Sequence, residues 1–209
     1  MKRMGQVAVA AVALVASAKV AAAQLPGIPY SPVETGTGIS VAADYGDPQG
    51  TGKAYGLTAG IGFSRFGLSV SAGALDSGGV IGSATSFGGR LGMKLLGGGL
   101  NPISVGAQVG ANSTEAIAGG SRTTVIMPGI WVRVSPPLFP LKPWGQVYYA
   151  TGNNSFVDEV RFSVGANFNL LFGLGVHAGY DWGNKGGKGW GVGAHFNFRL
   201  PGVPMVPGV

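Results

Sequence analysis

The 209-residue sequence has no cysteine, which excludes a disulfide framework and a thiolate-bound metal. Charge is scarce as well: 11% of residues are charged, against about 25% in an ordinary soluble domain. Histidine occurs only at His177 and His195, so little is available for acid–base or metal chemistry. Beyond residue 23 no apolar run approaches the roughly 18 residues of a membrane-spanning helix. No basic cluster with interleaved aromatics is present, and a nucleic-acid partner is not expected. Glycine, by contrast, supplies 40 of the 209 residues, where about 7% is usual. The glycines follow no Gly-X-Y period, so they do not build a triple helix. A hydrophobic content of 45% is too high for a disordered chain. Few charges and much glycine suit a chain whose outer surface meets lipid.

Residues 1–23 have the form of a cleaved export signal. Lys2 and Arg3 precede an apolar run from Val7 to Ala16, about as long as a signal-peptide core and too short to cross a bilayer. Ala21-Ala22-Ala23 supplies the small residues of a cleavage site, and Gln24 is the expected mature start. Loss of Lys2, Arg3 and Lys19 with this segment halves the formal net charge of +6. A proline-rich stretch, 24–35, follows. Its Leu25-Pro26-Gly27-Ile28-Pro29 has a near copy in Leu200-Pro201-Gly202-Val203-Pro204. Proline at this density excludes helix and central strand and favours an extended, polyproline-like path. Residues 24–35 and 200–209 are therefore expected to be periplasmic segments flanking a domain at 36–199, as plain tails, as a collar, or as a partial plug.

Within 36–199 the apolar signal has period 2. Tyr55, Leu57, Ala59, Ile61 and Phe63 alternate with Gly56, Thr58, Gly60 and Gly62, and Val160, Phe162, Val164, Ala166 and Phe168 with Arg161, Ser163, Gly165 and Asn167. Ten such runs of about ten residues recur, a length that suits a tilted bilayer crossing better than a soluble strand of about 5–6 residues. The sixth run is apolar on both faces and the seventh, near 142–151, is the weakest, so eight strands is the alternative count. Polar connections at about 46–53, 75–84, 113–121, 152–158 and 183–188 alternate with tight reversals at Ser64-Arg65, Gly97 to Pro102, Pro136 to Pro140 and Leu170-Leu171. On the apolar face Tyr45, Tyr55, Tyr180, Trp182 and Trp190 fall at the polar-loop ends, and Phe63, Phe66, Phe168 and Phe172 at the other. Aromatic girdles on both sides of an apolar band mark two membrane interfaces. The fold class is all-β: a closed, antiparallel, up-and-down transmembrane β-barrel, which leaves no edge unpaired in hydrocarbon.

The last run, Gly193-Ala194-His195-Phe196-Asn197-Phe198, resembles the Gly-x-x-aromatic-x-aromatic ending of bacterial outer-membrane β-barrel proteins. Leu200 to Val209 extends past the aromatic at which that family usually stops. The resemblance implies that Gly193, Phe196 and Phe198 form an assembly signal for the barrel-insertion machinery. It also implies that the chain resides in outer-membrane lipid with both termini periplasmic.

The face opposite the apolar one carries Asp44, Arg90, Lys94, Gln108, Trp131, Arg133, Arg161, His177, Asp181 and His195. Arg161 and Asp181 are expected to face each other as an ion pair. Bases outnumber acids here, so an open lumen would mildly prefer anions. The enzymatic outer-membrane barrels, such as lipid-A-modifying enzymes and proteases, need a nucleophile–His or Asp–His set at the outer rim or lipid face. Both histidines here point inward, and no third metal ligand stands beside them. No catalytic residue, metal or cofactor is expected. The function expected is a structural barrel or a small, passive, porin-like pore. A surface-interaction barrel without a pore and a lipid-modifying enzyme are the alternatives.

Overall fold

The computed structural model describes residues 28, 31–49, 52–76, 83–98, 101–115, 122–153 and 158–198. The export signal, the start of the proline-rich stretch and the tail at 200–209 lie outside them. Ten antiparallel strands follow in chain order: β1 (Gly38–Pro48), β2 (Lys53–Phe63), β3 (Phe66–Asp76), β4 (Ser83–Gly98), β5 (Asn101–Thr114), β6 (Thr123–Val134), β7 (Leu141–Gly152), β8 (Glu159–Asn169), β9 (Leu174–Gly183) and β10 (Lys188–Phe198). Each pairs with its chain neighbours, and β10 pairs with β1, closing the barrel. The eight-strand alternative is excluded, because the sixth and seventh runs are both strands.

The alternation read from the sequence sets the two faces of the wall. Ile39, Val41, Leu57, Leu91, Val109, Ile130, Val132, Val164, Val176 and Val192 are all exposed on the outside. A contiguous apolar belt of this kind is untenable in water and is the natural surface for hydrocarbon. At the end where β1 meets β2 lies one set of rings: Tyr45 packs edge-on to Tyr55 at 5.5 Å and against Trp190 at 5.9 Å, and Phe162 stacks on Trp182 at 5.6 Å. At the opposite, hairpin end Phe63 pairs directly with Phe66 across the two-residue Ser64-Arg65 turn. Phe168, Phe196 and Phe198 are exposed at that same end.

The structure corrects two details. Strands run further than their sequence patterns suggest, so the polar loops are shorter: β1 ends at Pro48 and β2 begins at Lys53, and only Asn184 to Gly187 separates β9 from β10. Phe172 is not the first residue of a strand. It lies in a 3-10 turn, Leu171–Gly173, with φ 59°, and projects almost fully exposed at the hairpin end. The turn absorbs two residues more than a reversal at Leu170-Leu171 would. The ambiguity of the sixth run also has a physical origin. Pro128 faces outward in mid-β6 and has no N–H to give the ladder. Pairing with β7 breaks there, between Ile126↔Thr151 and Gly129↔Tyr148. At the loop end Glu115 accepts from the hydroxyl of Thr85 at 2.7 Å and from its amide at 3.4 Å, bonds that hold its carboxyl below the usual carboxylate range.

Inward glycines determine how the narrow interior fills. A barrel of this size cannot take a large inward side chain on every strand at the same height. Here several of the large ones lie across a glycine of the next strand. Trp131 covers its register partner Gly106, and Trp144 covers Gly165. Tyr148 covers Gly129, where a Cβ would sit 2.6 Å from the Tyr148 Cβ; at Gly110 it would sit 2.9 Å from Arg90 Cγ. Gly165→Val is therefore expected to destabilise the barrel by about 1–3 kcal/mol through overpacking against Trp144. The measurement is urea unfolding of refolded protein, followed by the shift in gel mobility between unheated and boiled samples. Wild-type stability in the variant would show that Trp144 has room to move.

Candidate functional site

Three polar clusters occupy the lumen. The first sits near the loop end, on β7, β8 and β9. Asp181 is 1% exposed and is the acceptor at its centre. Tyr148 Oη donates to Asp181 Oδ2 at 2.8 Å, and Ser163 Oγ to the same oxygen at 2.6 Å. Arg161 Nε donates to Oδ1 at 3.0 Å, while its Nη1 pairs with Glu159 and its Nη2 with Asp181. The pair expected from the sequence thus forms. The register sets Ser163, not Arg161, directly opposite Asp181, so the guanidinium reaches it diagonally. A buried carboxylate with four hydrogen bonds from three residues is fully compensated. The arrangement ties three strands together and leaves no lone pair aimed at a substrate.

The second cluster runs along β1, β10, β9 and β8. His177 Nε2 lies 2.6 Å from Asp44 Oδ1, and His177 Nδ1 lies 3.2 Å from His195 Nδ1. His195 Nε2 then meets Asn169 Oδ1 at 3.2 Å. Glycines again make the approach feasible. Gly193 is the register neighbour of both Asp44 and His177, and Gly175 of both His195 and Asn169. A side chain at Gly193 would stand 2.6 Å from the Asp44 carboxylate. The chain is self-consistent with both rings neutral. His177 then donates to Asp44 and accepts from His195, and the Asn169 amide turns its nitrogen to His195. Among the described residues no group of three potential ligands converges to hold a metal ion.

The third cluster is formed by the chain's own N-terminal stretch. Ile28 is buried among Ala54, Leu75 and Ala84 at the loop end. Ser31 to Gly36 then descends to the hairpin end, where the Gly36 amide donates to the Ser64 carbonyl at 2.8 Å. Arg90 Nη1 donates to the Ser31 carbonyl at 3.2 Å. Arg133 Nη2 donates to the Pro32 carbonyl at 2.9 Å, and its Nη1 to Glu34 Oε2 at 2.8 Å. Val33 seats on Gly92, where a Cβ would come within 2.9 Å of it. The described residues of 24–35 thus lie inside the barrel, not flanking it. The reason is chemical: an extended, proline-rich strand lacks internal hydrogen bonds, and its carbonyls find the arginines of a polar lumen. Between the segment and the wall remains a cavity of about 50 Å³, bordered by Asp44, Thr58, Arg90, His177 and His195.

The remaining inward residues have structural partners. Gln108 Nε2 donates to Gln146 Oε1 at 2.9 Å, and Trp144 Nε1 to Asn167 Oδ1 at 2.9 Å. The guanidinium of Arg133 stands over the Trp131 ring at 5.7 Å. Lys94 faces inward towards the hairpin end, level with Gly106. Sequence reasoning passed over Lys142 and Glu159, which the alternation also turns inward. It passed over Glu34 as well, because nothing in a proline-rich stretch signals that it will be threaded through a barrel.

Among solved structures the chain is similar to a KdgM porin, with a TM-score of 0.52 at 9% identity over 77% of this chain and 99% of that one. The fold is shared with an outer-membrane porin. KdgM porin in complex with disordered oligogalacturonate gives a TM-score of 0.53 at 10% identity, over 77% and 99% of the two chains. The N-terminal β-barrel domain of Pseudomonas aeruginosa OprF aligns at 12% identity with a TM-score of 0.42, over 79% and 100%. Comparison with family models and with curated proteins finds no match.

Removing the acceptor at the centre of the first cluster isolates its effect. Asp181→Asn removes the buried carboxylate from Arg161, leaves Glu159 as its carboxylate partner, and is expected to destabilise the barrel by about 3 kcal/mol. Urea unfolding of the refolded variant checks this, and an unchanged midpoint would mean that lumenal water replaces the carboxylate.

Proposed function

We propose that this protein is an outer-membrane β-barrel with a passive, porin-like role, whose lumen is held shut at rest by residues 31–36. One observation carries the reading: a polar, arginine-bearing lumen within an apolar wall holds an extended segment of the chain itself, with a cavity of about 50 Å³ between that segment and the wall. A permanently open pore would not place arginines on the carbonyls of its own chain. Export through the signal at 1–23, periplasmic termini and insertion guided by Gly193, Phe196 and Phe198 belong to the same reading.

Arg90, Lys94, Arg133, Lys142 and Arg161 face Asp44, Glu159 and Asp181 across the wall, and this excess of cations supports a preference for anions once the segment moves. The reading assigns no catalytic role: both nitrogens of His177 are engaged within the wall, one by Asp44 and the other by His195.

Refolded protein in planar bilayers tests the proposal. The expected record shows infrequent openings and, in a tenfold KCl gradient, a reversal potential displaced towards that of chloride. A reversal potential at zero or displaced towards potassium would sink the anion preference. A silent bilayer would leave the structural barrel as the better reading.

A further inference from the structure

Glu34 occupies a position whose chemistry points to a ligand. Its backbone carbonyl lies against Gly67 and Gly62 on the β2–β3 side, and its side chain crosses to Arg133 on β6. Arg133 is nine-tenths buried, is supported from below by the Trp131 ring, and divides its fork between two acceptors: one carboxylate oxygen and the Pro32 carbonyl. Its Nε is buried without a hydrogen-bond partner among the described residues. A guanidinium prefers two parallel bonds to one carboxylate. The N-terminal segment therefore satisfies Arg133 incompletely, with a carboxylate that is itself only about two-thirds buried. Further along the same segment Arg90 donates to the Ser31 carbonyl, so a second guanidinium loses one acceptor if the segment leaves.

We propose that Arg133, supported by Arg90, is a lumenal binding site for carboxylate-bearing solutes, and that Glu34 of the chain's own N-terminal segment occupies it as an internal stand-in. The assignment rests on the porin-like reading and gives it a solute class: small organic anions with at least one carboxylate. Such a solute competes with Glu34 for the fork and offers Arg133 the second parallel bond that the segment withholds. Arrival of solute and release of the segment are then the same event. Neutral sugars make no such exchange.

The test uses refolded full chain in detergent micelles, with unheated gel mobility as the check of folding and succinate as the probe in titration calorimetry. A tethered carboxylate competes at an effective concentration of roughly millimolar or more, so Glu34→Gln is expected to bind succinate at least about tenfold more tightly than wild type. Glu34→Gln combined with Arg133→Gln should lose that binding, and sucrose should give no heat with any variant. Equal affinity in wild type and Glu34→Gln, retention of binding without Arg133, or equal binding of sucrose would overturn the site. Should the Arg133→Gln protein fail to fold, Arg133→Lys keeps the charge but not the fork. It must then weaken succinate at least about fivefold, because a lysine binds as a point charge. Bilayer recordings of wild type and Glu34→Gln separate the two proposals: silence in both overturns the pore while the calorimetry still judges the site.

Discussion

The polar lumen depends on one steric constraint, the narrowness of a ten-stranded wall. Several of its large inward side chains find room by lying across a glycine of the neighbouring strand. The register that closes the barrel places Gly106 under Trp131, Gly165 beside Trp144 and Gly193 between Asp44 and His177. With a Cβ at Gly193 the carboxylate and imidazole could not meet, and Asp44 would be a buried charge without its partner. The glycine excess, a cost in an ordinary strand, is here the condition for a polar interior.

That interior then needs acceptors. Arginines inside a closed barrel cannot remain unpaired, and the wall supplies fewer carboxylates than cations. Arg161 finds Glu159 on its own strand and Asp181 on the next. Arg133 takes the Pro32 carbonyl and the Glu34 carboxylate, and Arg90 takes the Ser31 carbonyl. The segment suits the task because proline denies it any competing structure of its own. The two solutions differ in kind. The Asp181 cluster is tied to three strands and fully satisfied, and so is architectural. The Arg133 contact is made with a separable piece of chain and leaves a donor unused, which makes it the exchangeable one.

The wall was legible because its signal is local. Alternation along one strand decides which residues face lipid, and no partner strand need be known. Asp44, Arg90, Lys94, Gln108, Trp131, Arg133, Arg161, His177, Asp181 and His195 all turn inward by that rule alone. The sixth and seventh strands were harder because Pro128 interrupts their ladder and apolar residues stand on both faces of β6. Phe172 was misplaced because a left-handed residue in a short 3-10 turn has no hydrophobic period to betray it.

The pairings across the lumen were of another sort. That Asp181 would be met by Ser163 and Tyr148 as well as Arg161, or His195 by Asn169, depends on register, on strand tilt and on which glycine lies between. The path of the N-terminal segment depends on still more, since residues 28–36 carry no periodicity and their carbonyls look alike in sequence. By itself the sequence determined the faces of the strands and the surface offered to lipid, because these follow from short-range alternation, and it left the count between ten and eight. Only the tertiary structure decided what fills the lumen, because contact between Glu34 and Arg133, 99 positions apart, exists only once the barrel has closed around the segment.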